Sequence, residues 1–210
     1  MPGVRDPREA LRLHRWDVTP AEARALQLEF RSRLERRDRV GRIRRVAGAD
    51  VAFDQAGRGA RLPDGQGQAI AAVVVFSYPG WEELECAIAR RPLTFPYVPG
   101  LLSFREIPAI LAALEGLHET PDVIFCDGQG YAHPRRFGLA CHLGVLLDVP
   151  TIGCAKSRLI GEHREPGRQA GAWSPVVHEG ERIGAALRTR AAASASPARA
   201  AAICGSTGVF

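Results

Sequence analysis

The sequence predicts an α/β fold with a mixed sheet, in which an antiparallel meander is followed by parallel strands, flanked by helices. Three strand-length segments, over residues 45–53, 69–78 and 81–90, follow one another with turn-forming residues between them. A strand–helix–strand pattern comes after them, which is typical of a parallel crossover. A chain of 210 residues is long enough for one domain with a sizeable core.

The N-terminal part is a basic arm. Residues 1–45 hold 13 arginines against 7 acidic residues, whereas the other 165 residues hold 15 basic and 16 acidic residues. A basic arm on a nearly neutral body suits a polyanion such as nucleic acid, although it is also typical of a solvated helix face. Thr19, Pro20 and Glu22 predict a helix start with a capping box, and the apolar spacing continues to about Arg37.

A proline-rich loop separates the meander from the second half of the chain. Three prolines fall within residues 92–99, which forbids a continuous helix or central strand there. We expect this loop to be stiff and to hold Tyr97 in one orientation. Apolar spacing then predicts a helix over residues 101–117, which Pro108 delays or kinks.

The second half alternates strand and helix. A strand is predicted over residues 122–126, a helix over 134–147 and a strand over 151–155. Two further strands, over 173–178 and 182–188, are predicted around a turn. In sheets of this class, ligands bind beyond the carboxyl ends of the parallel strands, so we expect the site there.

One domain is expected over residues 1–190, and the atypical Ala/Ser-rich residues 191–210 are expected to be poorly ordered. None of the five cysteines belongs to a CxxC pair, so neither a zinc site nor a disulfide framework is indicated. No apolar run is long enough to span a bilayer, and no signal-peptide core is present. We therefore expect a cytoplasmic protein with no membrane partner, and a monomer.

Three acidic residues lie on or beside predicted core elements: Asp50, Glu106 and Asp127. Carboxylates from separate elements are typical ligands of Mg²⁺ or Mn²⁺, and a basic protein with such a cluster suggests phosphodiester hydrolysis. Lys156 is the single lysine beside 27 arginines, and it closes the strand that follows Asp127. It would neutralise charge on the phosphorane or orient the attacking water, and His133 would protonate the leaving group or position water.

Each of these residues also has a plainer interpretation. Asp50 fits an edge-strand aspartate that faces water, and Glu106 fits a favourable charge in the first turn of a helix. Tyr97 fits a core aromatic residue, His133 a loop histidine bonded to the backbone, and Lys156 a surface lysine. An unspecified Mg²⁺-dependent phosphohydrolase with a basic arm therefore stays open on the residues alone.

Three motifs carry a resemblance to a known family. The segments PLTFPYVPGLLSFRE, DGQGYAHPRRFGLACHLGVLLDVPTIGCAKSRL and VAGADVAF resemble those of the endonuclease V family, in the same order and spacing. The resemblance implies a ribonuclease H-like fold. It also implies Mg²⁺-dependent cleavage of the second phosphodiester bond 3′ to a deaminated purine in DNA, leaving a 3′-OH and a 5′-phosphate, with Mn²⁺ as a substitute. The resemblance leaves open whether inosine-containing RNA is a further substrate.

The resemblance also assigns roles to individual residues. It implies that Asp50, Glu106 and Asp127 are the catalytic metal carboxylates, and that His133 and Lys156 are catalytic accessories. Tyr97 would be the wedge that stacks where the damaged base has left the helix, because an everted base is how such enzymes reach their target. The pocket for the everted hypoxanthine would be lined by Gly100, Leu102 and Gly128.

The sequence departs from the family pattern after Arg190. The family continues with a strand-like segment, an SPGH-type turn and a final helix, whereas this chain reads AAASASPARAAAICGSTGVF. This departure motivates an alternative function: a lesion-binding protein that keeps the wedge and the pocket but cleaves poorly.

Overall fold

The structure, a computed structural model, describes residues 4–37, 40–54 and 67–191. Most of the turn predicted over residues 54–68, and nearly all of the atypical tail, lie outside the described residues. The described part contains a five-stranded sheet with the strand order β3-β2-β1-β4-β5 and a separate two-stranded sheet, β6-β7. No helix in these ranges is both long enough and apolar enough to span a membrane.

The first three strands form the predicted antiparallel meander. They are β1 (Arg45–Asp54), β2 (Gln68–Ser77) and β3 (Glu83–Pro92). β3 begins two residues later than predicted, because the chain is still turning at Trp81 and Glu82. The Trp81 N–H donates to the Ser77 carbonyl, and the Ser77 N–H donates to the Glu82 carbonyl.

The predicted parallel crossover is confirmed, although its two strands and its helix are shorter than predicted. β4 (Val123–Cys126) pairs in parallel with β1 on one side and with β5 (Thr151–Gly153) on the other. The intervening helix, α4 (Leu139–Leu147), begins five residues later than predicted. The reason is local: Arg136 has a φ of 54°, which no right-handed helix accommodates, so the chain stays in a loop until Gly138.

Three further helices are α1 (Pro7–Leu11), α2 (Pro20–Arg31) and α3 (Leu102–Leu114). The capping box of α2 is confirmed, with Thr19 accepting from the Glu22 N–H and Glu22 accepting from the Thr19 N–H. α2 ends at Arg31 rather than near Arg37. Past this end, the Ser32 hydroxyl donates to the Glu29 carbonyl, a local bond of the kind that competes with helical bonds.

The core lies between one face of the sheet and the helices α3 and α4. Residues of β1 alternate: Ala47 and Ala49 are buried, whereas Gly48, Asp50 and Ala52 are exposed. α3 continues through Pro108, so the predicted delay of the helix is wrong. The small residues of β1 and β2 allow α3 to pack closely on the sheet, and each buried aliphatic side chain of α3 contributes about 1.5–3 kcal/mol.

The last two strands form a hairpin, β6 (Trp173–His178) and β7 (Glu181–Leu187), as predicted. Glu181, at the start of β7, ties the hairpin to the loop after β4. Its carboxylate accepts hydrogen bonds from Arg136, at 2.8 Å, and from the Tyr131 hydroxyl, at 2.7 Å. The four described cysteines are free thiols.

Candidate active site

Two of the predicted residues meet beyond the carboxyl ends of adjacent parallel strands. Asp127 directly follows β4, and its N–H donates to the Ala49 carbonyl at 3.1 Å, which extends the ladder between β1 and β4 by one bond. Lys156 lies three residues after β5. The Lys156 ammonium group forms an ion pair with the Asp127 carboxylate. Lys156 is therefore more than an isolated surface lysine.

Glu106 projects from α3 toward the same place. It lies beyond the first turn of the helix and is only 6% exposed, so the interpretation as a favourable first-turn charge is wrong. Burial raises the pKa of the Glu106 carboxyl to about 8, and the charges of Asp50 and Asp127 raise it further in the same direction. Three carboxylates therefore lie within electrostatic range of one another.

Asp50 lies in the middle of β1 and faces solvent. Its Oδ1 accepts a hydrogen bond from the Val51 N–H at 2.8 Å. Solvent access explains how a strand in the middle of the sheet carries a carboxylate without the large cost of burying an isolated charge. The charge of Asp50 still reaches Glu106, where it is the second largest cause of the raised pKa.

The donor set fits a hard divalent cation in its chemistry. Within residues 4–37, 40–54 and 67–191, no three His, Cys, Asp or Glu side chains form a ready-made metal centre. However, the charges of Asp50 and Asp127 both raise the pKa of Glu106 and so oppose its ionisation, whereas the charges of Arg105 and Lys156 lower that pKa. Carboxylate oxygens are the ligands that Mg²⁺ and Mn²⁺ prefer, and a cation among them would relieve this repulsion.

A cavity of about 300 Å³ opens beside these charges. Seven of the nine predicted site residues line it: Tyr97, Gly100, Leu102, Asp127, Gly128, His133 and Lys156. The other two, Asp50 and Glu106, are not part of its wall. The structure thus brings the residues assigned to the pocket and the wedge into one wall, together with Asp127, His133 and Lys156.

Tyr97 projects from the proline-rich loop into solvent, with 72% of the residue exposed. The interpretation as a core aromatic residue is therefore wrong. The loop beneath it is anchored: Phe95 is buried, and its carbonyl accepts a hydrogen bond from Arg105 Nη1 at 2.8 Å. A large aromatic ring held in solvent on an anchored loop is suited to stacking against a partner.

The chain turns sharply between Tyr97 and α3. The Leu101 N–H donates to the Val98 carbonyl at 3.0 Å, and Gly100 has a φ of 79°. Proline at the second position and glycine with positive φ at the third are the signature of a type II β-turn. A Cβ at Gly100 would also lie 3.0 Å from Arg135 Nη2, so glycine is required here for two reasons.

His133 is buried under this turn and is only 2% exposed. Its Nε2 lies 2.9 Å from the Gly100 carbonyl oxygen, and its Nδ1 accepts from the Arg135 N–H at 3.2 Å. Burial lowers the pKa of His133 to about 4, and the charge of Arg135 lowers it in the same direction. The contact with the Gly100 carbonyl agrees with the plainer interpretation of His133 as a loop histidine bonded to the backbone. A role of His133 in proton transfer stays a prediction.

Sequence reasoning missed part of the cavity wall. Gln27, Ser103 and Gln129 also line it. Gln27 lies on the buried stripe of α2, where a glutamine among apolar residues was the available signal. Both α3 and α4 begin at this cavity, and neither helix has a side-chain cap. Two N–H groups of these first turns already have backbone acceptors, because Phe104 donates to the Leu101 carbonyl and Ala140 donates to the Gln129 carbonyl, each at 3.1 Å.

Comparisons with known proteins agree on one family. The family model described as Endonuclease V matches residues 27–197. An Endonuclease V of Roseiflexus sp. (strain RS-1) is 51% identical over 175 residues, which cover 83% of this chain and 74% of that protein. The chain therefore spans about three quarters of the length of this relative.

Solved structures show the same fold. The crystal structure of the Endonuclease V from Streptomyces avermitilis has a TM-score of 0.76 and 40% identity, over 92% of this chain and 78% of that one. An Endonuclease V from Ciona intestinalis, in complex with a 23mer DNA containing an inosine followed by a ribo-adenosine, has a TM-score of 0.58 and 32% identity. That match covers 69% of this chain and 61% of the Ciona chain. The fold is ribonuclease H-like, as the sequence predicts, and the chain belongs to the Endonuclease V family.

Proposed function

We propose that this protein is a divalent-metal-dependent endonuclease that cuts DNA at the second phosphodiester bond 3′ to deoxyinosine, leaving a 3′-OH and a 5′-phosphate. Membership in the Endonuclease V family carries the coarser part of this function, a DNA-repair endonuclease that acts on inosine. The single observation that supports the finer part is the group of Asp50, Glu106 and Asp127 beside a cavity from which Tyr97 projects.

Asp50, Glu106 and Asp127 would hold the metal, Mg²⁺ or in its place Mn²⁺. When bound, such a cation polarises a phosphoryl oxygen and makes a nucleophile from water at neutral pH. Lys156 contributes a positive charge at the edge of this group, where negative charge accumulates on the phosphoryl oxygens during cleavage. Because the Lys156 side chain is mostly exposed, it can leave Asp127 and turn to the substrate.

Tyr97 and the cavity account for the choice of base. Everting a base costs a few kcal/mol, and an exposed aromatic ring can stack in the space the base leaves. Adenine presents an amino group where hypoxanthine presents a carbonyl oxygen. N–H groups in the first turns of α3 and α4, other than those of Phe104 and Ala140, would be donors to the base, so they would favour the carbonyl oxygen and leave the amino group unpaired.

The glycines of the pocket allow a flat base to approach the main chain. A Cβ at Gly128 would lie 2.9 Å from Leu139 Cδ2 and 3.6 Å from Leu102 Cδ2, so this part of the wall is already closely packed. Larger residues here would either displace Leu139 or enter the cavity. The limited volume of the cavity favours a single everted base over a paired segment of duplex.

The proposal is tested by single-turnover cleavage of a labelled duplex with one deoxyinosine. The reaction is run with Mg²⁺, with Mn²⁺ and with EDTA, beside the Asp127→Ala variant and a duplex in which deoxyadenosine replaces deoxyinosine. We expect a metal-dependent nick one nucleotide beyond the lesion, which is lost in the variant and absent with deoxyadenosine. Tight binding of the deoxyinosine duplex without a nick would instead identify a lesion-binding protein.

A further inference from the structure

Gln27 is a buried polar residue in the middle of α2, and only 1% of it is exposed. Its side-chain amide is fully used. Nε2 donates to the Gly100 carbonyl and to the Phe137 carbonyl, each at 3.1 Å. Oε1 accepts from Arg135 Nε at 2.6 Å. A primary amide has two N–H groups, so both donors of Gln27 are engaged.

The two carbonyls that Gln27 holds have equivalent positions in the fold. Gly100 directly precedes Leu101, which is the N-cap of α3, and Phe137 directly precedes Gly138, which is the N-cap of α4. One amide group therefore bridges the chain just before each of the two uncapped helix starts at the cavity.

The Gly100 carbonyl receives two more donors besides Gln27. Arg135 Nη2 lies 2.8 Å and His133 Nε2 lies 2.9 Å from this oxygen. A carbonyl oxygen with three donors is held in a single orientation, and buried networks in which every member is satisfied are rigid. The carbonyl is thus committed to the protein, and the turn to which it belongs, which directly follows Tyr97, is held by these bonds.

We propose that Gln27 is a positioning residue for base recognition, because its amide sets the spacing between the starts of α3 and α4 and fixes the turn that follows Tyr97. This inference rests on the proposed function, since the cavity between the two helix starts is taken to receive the everted base. Gln27 contacts no reacting atom in this arrangement. Its loss therefore weakens selection of the base and leaves the hydrolytic step nearly unchanged.

The test uses two substitutions in the full-length protein. Gln27→Leu removes both donors and the acceptor at similar volume. Gln27→Glu keeps the shape and the acceptor for Arg135, but it replaces the donors with an oxygen that faces two carbonyl oxygens. Single-turnover rates on the deoxyinosine duplex are measured against protein concentration, which separates the maximal rate from the half-saturating concentration.

We expect both variants to raise the half-saturating concentration for the deoxyinosine duplex about tenfold, the effect of losing a buried polar contact in recognition, with the maximal rate changed less than threefold. The matched control is Thr151→Val. Thr151 is fully buried, and its hydroxyl donates to the Ala140 carbonyl of α4 at 2.7 Å; neither of these two residues lines the cavity. This control loses a buried hydrogen bond too, and its half-saturating concentration should equal that of the wild type.

The outcomes separate the inference from the function on which it rests. A wild-type protein that does not cut the duplex rejects the proposed function. In a second outcome the wild-type protein cuts the duplex, and the Gln27 variants lose only thermal stability, as Thr151→Val does. This outcome rejects the role of Gln27. A change confined to the maximal rate rejects it as well. If neither variant folds, Gln27→Asn, which keeps the amide but shortens its reach, is measured against the same criteria.

Discussion

The ammonium group of Lys156 forms an ion pair with the carboxylate of Asp127, although they lie 29 positions apart in the sequence. The pair exists because β4 and β5 lie side by side in parallel, so the chain leaves both strands at the same edge of the sheet. The single lysine of the protein therefore meets one of the two carboxylates whose charges raise the pKa of Glu106.

Lys156→Met should slow cleavage about 100-fold, since removal of one group that stabilises charge in a transition state has effects of this order. The free energy of unfolding should change by less than about 1 kcal/mol, because exposed ion pairs contribute little to stability. Single-turnover kinetics and urea unfolding measure the two effects. Lys156→Arg, which keeps the charge, serves as the control. A wild-type rate in Lys156→Met would remove this residue from the mechanism.

Glu106→Gln should stabilise the metal-free protein while it abolishes cleavage. The pKa of Glu106 is raised from 4.5 to about 8 in the folded state, so the folded protein binds the proton more tightly than the unfolded chain. The free energy of unfolding therefore decreases as the pH rises from 4.5 to 8, because Glu106 has to lose its proton in the folded protein. In EDTA at pH 8 we expect the variant to be more stable by about 2–4 kcal/mol, with a much smaller difference at pH 5.

Thermal or urea unfolding at the two pH values measures this difference. The control is Glu83→Gln, at an exposed position of the edge strand β3, which should show no pH-dependent gain. Equal effects of the two substitutions would show that Glu106 is not held at an electrostatic cost.

Tyr97→Ala should weaken binding of the lesion without affecting the fold. Stacking of an aromatic side chain on a base contributes about 1–3 kcal/mol, so the half-saturating concentration should rise about tenfold or more. The matched control is Trp81→Ala. Trp81 is also exposed, at 59%, but it lies in the turn between β2 and β3, at the opposite end of the sheet. Equal losses in both variants would point to general aromatic contacts instead of a wedge.

His133 should make the protein sensitive to acid. Its pKa is lowered from 6.5 to about 4, so the unfolded chain takes up a proton between these values that the folded protein does not bind. The contribution of the neutral His133 to the free energy of unfolding is complete above pH 6.5. It is lost as the pH decreases toward 4, and the loss is about 3 kcal/mol at most. His133→Gln should flatten this fall. Burial also lowers the pKa of His14 and His142, but both remain in the variant and cancel in the comparison.

Unfolding by urea at pH 7.5 and pH 4.5 tests this prediction. The quantity of interest is the change in unfolding free energy between the two pH values, compared between wild type and variant. An identical change in both proteins would mean that His133 accepts a proton in the folded state as readily as in the unfolded chain.

Mg²⁺ should raise the melting temperature of the protein, because a ligand that binds only the folded state stabilises it. At a concentration 100-fold above the dissociation constant, the gain is about 2.7 kcal/mol. Asp127→Ala should reduce this gain, because it removes one of the three carboxylates. Melting curves in EDTA and in a series of Mg²⁺ concentrations measure it. A full metal-dependent shift in the variant would place the cation elsewhere.

Local chemistry made several elements predictable from the sequence. The capping box at Thr19 and Glu22 depends on residues three apart, and the meander of β1 to β3 depends on apolar runs between turns. By contrast, the start of α4 could not be read from spacing. The apolar period continues back to residue 134, but the left-handed backbone at Arg136 prevents the helix from beginning there, and α4 begins only at Leu139.

The sequence by itself determined the fold class and the positions of acid and amine at the strand ends, because alternating strand and helix patterns dictate a parallel crossover. Only the tertiary structure decided which groups meet. Burial under α3 makes Glu106 hard to ionise, and exposure frees Tyr97 for a partner. Gln27 acquires a role only because α2 packs against the starts of two other helices. Contacts of this kind join residues 73 or more positions apart, and no local pattern in the chain encodes them.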